Sequence, residues 1–186
     1  MRIISGVLKG RLIKFLKNSN TRPLKDNVRE NVFNILNHSK YIKVNVKDSN
    51  VLDLYSGIGS FGIECISRQA KKVTFIEKDL NAFNLLKDNL NQLSIIKSTK
   101  IYNSKIENVI IDLKKEYYHI FFFDPPFADK SFLNIINLIK KSKIFKKDHI
   151  VIIHREKKTN DEIDSFLNVF ETKYYGRSKI IFGEFN

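Results

Sequence analysis

Apolar residues fall along this chain in two rhythms: short unbroken runs, and longer stretches in which they return every three or four positions. The runs Val51-Leu52-Asp53-Leu54-Tyr55, Val73–Glu77, Ile120-Phe121-Phe122-Phe123 and His149–Ile153 read as buried strands, with Lys100–Tyr102 a weaker one. Helical spacing predicts Lys25–His38 (Val28, Val32, Ile35 and Leu36, with Asp26 near the N-cap), Asp79–Leu90 (Phe83, Leu86 and Leu90), Ile106–Leu113, Phe132–Ile139 and Glu162–Leu167. One more helix is expected after the glycine-rich turn that follows Tyr55. Two closing strands flank Gly176-Arg177, the last over Ile180–Phe185. At the N-terminus, Arg2–Leu16 alternates about Gly10 and predicts a β-hairpin tipped by Lys9 and Arg11, and Thr21-Arg22-Pro23 reads as a loop.

Strands and helices that alternate across short loops imply right-handed crossovers and a sheet covered on both faces. The predicted fold is α/β: a seven-stranded, mostly parallel sheet with an antiparallel C-terminal hairpin. Residues 1–40 are expected to form a small extension and 41–186 the main domain. In such sheets ligands collect beyond the carboxyl ends of the strands, so chemistry is sought directly after strands.

Composition narrows the class of partner. The 186 residues suit one well-buried domain, and 33 Lys+Arg against 20 Asp+Glu leave a net charge of +13. A field of that size favours polyanions, nucleic acid foremost. There is no run of about 18 apolar residues to span a membrane, and Lys9 and Arg11 interrupt the N-terminus too early for a signal peptide. The single cysteine, Cys65, excludes an intramolecular disulfide. A cytoplasmic setting without membrane attachment is expected. His38, His119, His149 and His154 lack metal-ligand spacing, so no metal is expected, and nothing demands more than a monomer.

Two motifs carry chemistry. Gly57-x-Gly59-x-x-Gly62 stands between a strand and a helix, where absent side chains let backbone approach a ligand at the positive end of the helix. The pattern serves dinucleotide and S-adenosylmethionine sites alike. Asp53 tilts the choice, because at the carboxyl end of its strand it would repel a pyrophosphate and attract a methionyl ammonium. Glu77 closes the second strand, where an acid accepts hydrogen bonds from both ribose hydroxyls of a nucleoside cofactor.

The second motif is Asp124-Pro125-Pro126-Phe127, directly after the Ile120–Phe123 run. Two prolines fix φ and donate nothing, so the loop is rigid and presents carbonyls. Asp124 and the Pro125 carbonyl would accept the two hydrogens of an amino group, turning its lone pair towards a methyl donor. Phe127 would stack on the base, worth about 1–3 kcal/mol, and the target must lie outside its own stack.

With both motifs in place, the chain resembles the class I, Rossmann-like methyltransferases that act on amino groups. It is most similar to the bacterial RsmD family, which methylates the exocyclic N2 of a guanine in 16S rRNA. The resemblance is carried by Arg2-Ile3-Ile4-Ser5-Gly6 with Lys9-Gly10-Arg11, and by Thr21-Arg22-Pro23 through Val28-Arg29-Glu30 to Phe33-Asn34-Ile35-Leu36. Leu52 to Gly57, Ile76-Glu77 and Asp124 to Phe127 complete it. It implies that Asp53, Tyr55, Ser56, Gly57, Gly59, Gly62 and Glu77 hold S-adenosylmethionine. It also implies that Asp124, Pro125, Pro126 and Phe127 hold the guanine, and that Arg2, Lys9 and Arg11 touch phosphates of 16S rRNA or the small ribosomal subunit. Arg22 and Arg29 are expected to line the cleft, serving RNA or the cofactor carboxylate, with a helix-surface salt bridge as the other reading of Arg29. Where relatives carry an acid near the adenine, this chain has Asn103-Ser104-Lys105, which leaves that role to Asn103 or backbone groups.

Three alternatives stay open at this level. A DNA adenine or cytosine amino-methyltransferase would use the same loop, although the chain offers no segment for a target-recognition domain. A nucleotide-dependent oxidoreductase would leave Asp124–Phe127 without a task. A non-catalytic RNA-binding module would be indifferent to loss of Asp124.

Overall fold

The computed structural model describes residues 1–15 and 24–186. Strands β1 (Asn50–Leu54), β2 (Lys72–Glu77), β3 (Thr99–Asn103), β4 (Tyr118–Phe123), β5 (Phe145–Glu156), β6 (Leu167–Tyr175) and β7 (Ser178–Phe185) form one sheet in the order β3-β2-β1-β4-β5-β7-β6. The first five strands are parallel, and β7 runs antiparallel between β5 and β6. Helices α1 (Asp26–His38), α2 (Ser60–Ser67), α3 (Leu80–Gln92), α4 (Ile106–Leu113) and α5 (Phe132–Ser142) cover it. The seven-stranded α/β architecture and its antiparallel C-terminal hairpin are those the sequence predicts.

Alternation along each strand sorts the apolar runs into two cores. Val51, Ile120, Phe122, Ile150 and Ile152 pack with α1, α2 and α3 on one face. Leu52, Leu54, Phe121, Phe123, Val151 and Ile153 pack with α4 and α5 on the other. Burial on both faces explains why these strands read as unbroken apolar runs. Phe61 of α2 stacks between Phe33 of α1 and Phe122 of β4, at centroid distances of 5.3 and 4.0 Å, and ties the outer helices to the sheet.

The N-terminal segment forms a short version of the expected hairpin: the Ile3 and Ile13 N–H groups donate to the Arg11 and Met1 carbonyls at 2.9 Å each, around an antiparallel bridge of Arg2 with Leu12. Buried polar groups on the helices hold the rest of its backbone. The Ile4 and Ser5 N–H groups each donate to the Glu64 carboxylate at 2.9 Å, and the Lys14 N–H donates to Asn89 at 2.8 Å. The alternation seen in sequence records Ile3 and Ile13 entering the same core as α1. Gly6 has φ +83°, and a Cβ there would fall 1.9 Å from the Ser67 carbonyl oxygen, so only glycine fits.

One expectation is corrected. Glu162–Leu167 is not helical: turns lead into β6 at Leu167, while Ile163 and Leu167 fill the core beneath α5. Asp26 stands beside the N-cap of α1, Lys25, as expected, and pairs with Arg29. The Thr21-Arg22-Pro23 loop lies outside the described residues. No helix among the described residues is long and apolar enough to cross a membrane.

Candidate active site

A cavity of about 700 Å³ opens at the carboxyl ends of β1, β2, β4 and β5. It lies where the strand order reverses between β1 and β4, the position at which open α/β sheets bind ligands. Tyr55, Ser56, Gly57 and Glu77 line one side, and Asp124, Pro125, Pro126 and Phe127 line the other. The two sequence motifs therefore share one space, of a size suited to a nucleoside cofactor together with a planar ring.

The glycine turn is built from below. Tyr55, Gly57 and Gly59 have φ of 59°, 54° and 83°, so three left-handed residues fold the chain back within five positions. The Gly59 N–H closes the turn on the Ser56 carbonyl at 2.8 Å, and the Ser56 N–H reaches the Ile76 carbonyl at 3.0 Å. A Cβ at Gly59 would meet Leu86 at 2.4 Å, and one at Gly62 would meet the Phe75 ring at 2.3 Å. These two glycines thus let α2 and α3 pack close to the sheet. A Cβ at Gly57 would meet nothing, so there the backbone faces the cavity directly.

Asp53 sits beneath the turn and away from the cavity lining. It is 1% exposed, and its carboxylate accepts the Gly62 N–H at 2.9 Å, satisfying an otherwise unpaired donor in the first turn of α2. Burial pushes its carboxyl well above the ordinary range, opposed by the Gly62 bond and reinforced by the charges of Asp124 and Glu77. Glu77 does line the cavity. Its two oxygens accept the Gly57 and Asp79 N–H groups, each at 2.7 Å, which fixes the carboxylate at the cavity edge. Asn103 stands outside the lining and donates to the Glu77 and Lys78 carbonyls at 3.0 and 3.3 Å. It props the β2–α3 connection, while Ser104, Lys105 and Ile106 form the wall there.

The Asp124–Phe127 loop is held from behind by the end of β5. Parallel register pairs Phe123 with Ile153, so His154 comes level with Asp124. The His154 Nδ1 lies 2.8 Å from Asp124 Oδ1 and the ring meets Phe127 edge-on, with centroids 5.3 Å apart. Arg155, with no exposed surface, donates to the Pro126 and Phe127 carbonyls at 3.0 Å each. Its remaining donors form a fork to Asp161 at 2.9 and 3.1 Å, and its guanidinium lies 4.3 Å from the centre of the Phe132 ring. Sequence reading passed over both residues, although the signal was present: aligning the apolar runs of β4 and β5 puts His154 beside Asp124.

The basic residues divide sharply. Arg2, Lys9 and Arg11 are exposed, yet their segment rests on the far ends of α2 and α3: the Val7 N–H donates to the Ser67 carbonyl and Arg11 to the Gln92 carbonyl. Arg29 does not line the cleft and is not a surface residue. It is 1% exposed, bonded to the Arg2 carbonyl at 2.6 Å and to Asp26 at 3.0 Å, and 3.8 Å from the buried Glu64. Burial lowers its pKa, offset by the charges of Glu64 and Asp26. Its role is to hold the N-terminal segment against α2. Arg22 lies outside the described residues. Among the described residues, the Lys and Arg side chains that line the cavity are Lys78, Lys105 and Arg177.

A glycine turn, a ribose-height carboxylate and an Asp-Pro-Pro-Phe loop around one cavity at the sheet's switch point define a class I, S-adenosylmethionine-dependent methyltransferase. Comparison with known proteins agrees. The family model described as Conserved hypothetical protein 95 matches residues 1–184. Ribosomal RNA small subunit methyltransferase D of Buchnera aphidicola (subsp. Acyrthosiphon pisum) is 40% identical over 161 residues, covering 84% of this chain and 78% of that protein. Its namesake from Haemophilus influenzae is 33% identical over 159 residues, covering 84% and 79%. A solved Escherichia coli structure described as methyltransferase yhhF superposes with a TM-score of 0.80 at 26% identity, over 100% of this chain and 98% of that one. The chain belongs to this family of RsmD methyltransferases.

Proposed function

We propose that the enzyme methylates the exocyclic N2 amino group of a guanine in small-subunit 16S rRNA, acting as a cytoplasmic monomer. The observation that carries this reading is the single cavity bounded by both the Gly57 turn and the Asp124 loop. The relatives named above are rRNA small subunit methyltransferases, which supports the substrate class.

The residues present fit the cofactor: bare backbone at Gly57, a fixed Glu77 carboxylate for ribose hydroxyls, and room beside them. When bound, S-adenosylmethionine supplies an electrophilic methyl group on a sulfonium. Asp124 and the Pro125 carbonyl orient the amine, whose nitrogen lone pair forms the new N–C bond as the S–C bond breaks. One amine proton then leaves through the Asp124 carboxylate. Fixing the amine against the methyl is the main source of rate, since effective molarities for oriented groups reach roughly 10⁵–10⁸ M. Phe127 provides the stacking face for a base drawn out of its helix.

RNA phosphates would meet Arg177, Lys157 and Lys158, which line a second hollow that shares Glu156 and Arg177 with the main cavity. Lys9 and Arg11, in the 1–40 extension, lie a helix length away, about 20 Å for α3, and would touch only a folded substrate spanning that face. Labelled methyl transfer to stripped 16S rRNA, assembled small subunits and duplex DNA tests the reading. Label in either RNA-containing substrate is expected, and transfer to DNA alone would overturn it.

A further inference from the structure

We infer that His154 is a positioning residue for methyl transfer: its Nδ1–H fixes Asp124 so that the other carboxylate oxygen stays available, beside the Pro125 carbonyl, to the substrate amine. The inference rests on the reading that Asp124 receives that amine.

The loop offers six acceptors: the two Asp124 carboxylate oxygens and the carbonyls of Asp124, Pro125, Pro126 and Phe127. Asp124 Oδ1 is engaged by His154 at 2.8 Å, and the Pro126 and Phe127 carbonyls are engaged by Arg155 at 3.0 Å. The Pro126 carbonyl also accepts the Asp129 N–H at 2.9 Å. Among the described residues nothing donates to Asp124 Oδ2 or to the Pro125 carbonyl, and both residues line the cavity. Of the Asp124 carboxylate and the three carbonyls that follow it, two acceptors therefore stay open for a group with two hydrogens. Two adjacent residues at the end of β5 make that selection.

The ring's surroundings say how His154 does it. An ionised carboxylate only accepts hydrogen bonds, so the bond to Asp124 places a proton on Nδ1. Nε2 is sealed from solvent and has no partner among the described residues, which suits a lone pair better than a stranded donor. The ring is 6% exposed and wedged against Phe127, so it cannot turn away and release Asp124. A free Asp124 side chain would rotate about χ1 and bring its charge out of line with Pro125. Small misplacements of this kind cost on the order of 10²-fold in rate.

The test compares His154→Leu, which removes the donor, with His154→Asn, whose amide N–H occupies nearly the Nδ1 position. Methyl transfer to small-subunit rRNA gives kcat and KM, and calorimetry with S-adenosylhomocysteine gives an affinity independent of turnover. Expected for His154→Leu is a fall in kcat of roughly 10–100-fold, with S-adenosylhomocysteine affinity within about twofold of the parent. His154→Asn should recover most of kcat. If the leucine variant fails to fold, as judged by its melting curve, His154→Phe takes its place. An unchanged kcat in the donor-less variant, or no recovery with asparagine, overturns the inference. Asp124→Ala, alone and combined with the His154 variant, separates the two layers. If Asp124→Ala is fully active, the reading of Asp124 itself fails. If it is inactive while the His154 variant is normal, only the positioning role fails. If both singles are impaired, the double variant should be no slower than Asp124→Ala, because the histidine acts through that carboxylate.

Discussion

Arg155 and Asp161 form a bidentate pair, 2.9 and 3.1 Å, with side chains 1% and 3% exposed. Behind the Asp124–Phe127 loop the pair makes Arg155 a fixed bracket for the Pro126 and Phe127 carbonyls. Burial alone would raise the Asp161 carboxyl, but hydrogen bonds from Arg155 and Thr159 and the guanidinium charge hold it below its ordinary value of 3.8. A depressed folded-state value stabilises the fold above the ordinary value and ceases to do so as pH falls through the lower one. Asp161→Ala should cost roughly 3–5 kcal/mol at neutral pH, because it strands a buried guanidinium. Urea unfolding should show that gap narrowing below about pH 4. A gap independent of pH would show that Arg155 does not hold the Asp161 carboxyl below its ordinary value.

The three glycines of the turn should separate stability from binding. Gly59→Ala combines a left-handed φ with contact at 2.4 Å to the buried Leu86, and Gly62→Ala drives into Phe75 and Val73 at 2.3 and 2.8 Å. Overpacking of that kind costs about 1–3 kcal/mol. Left-handed backbone adds about 1–2 kcal/mol at Gly59. Gly57→Ala bears only the backbone cost, yet its methyl would stand where the ligand meets the turn. Urea midpoints should fall most for Gly59→Ala and least for Gly57→Ala, while calorimetry should show that Gly57→Ala weakens S-adenosylhomocysteine binding the most relative to its stability loss.

Glu77 is already fixed in place by the Gly57 and Asp79 N–H groups, so it would meet a ribose without reorganising. Glu77→Ala removes both the proposed ribose acceptor and the tie between the β2–α3 connection and the glycine turn. Hydrogen bonds to charged groups contribute about 1.5–3 kcal/mol, so S-adenosylhomocysteine affinity should drop by roughly 10–150-fold. Affinity within threefold of the parent would move the cofactor elsewhere.

Salt dependence should reveal which cations face RNA. Every cation removed from a phosphate should flatten the slope of log affinity against log salt by about 0.7–0.9. Replacing Lys157, Lys158 and Arg177 with alanine should flatten the slope on both short oligonucleotides and assembled subunits. Removing Lys9 and Arg11 should act only on the larger substrate, because their segment sits at the far ends of α2 and α3. Equal effects on both substrates would contradict that placement.

Sequence alone conveyed most of the sheet because its central strands are buried on both faces, and Ile120–Phe123 has only one way to be so. It failed where tertiary partners overrule local pattern. Arg2–Leu16 alternates like a hairpin and pairs as one around Arg2 and Leu12, but the pairing is short because the Ile4, Ser5 and Lys14 N–H groups go to Glu64 and Asn89. Glu162–Leu167 has helical spacing, yet its apolar residues serve as plugs at the sheet's edge. Of the two readings of Arg29, the salt bridge within its helix is present, to Asp26 three positions before it, but its burial was not legible because Glu64 and the Arg2 carbonyl are 35 and 27 positions distant. The site motifs stood out because each is contiguous. His154 and Arg155 did not, since their link to Asp124–Phe127 exists only through the parallel pairing of β4 with β5.

The most direct test is mass spectrometry of 16S rRNA from cells lacking the gene, complemented with the parent protein or with Asp124→Ala. A single guanine carrying an N2-methyl group should disappear in the deletion strain, return with the parent and stay absent with Asp124→Ala. An unchanged methylation pattern in the deletion strain, or full restoration by Asp124→Ala, would contradict a catalytic cavity shared by the Gly57 turn and the Asp124 loop.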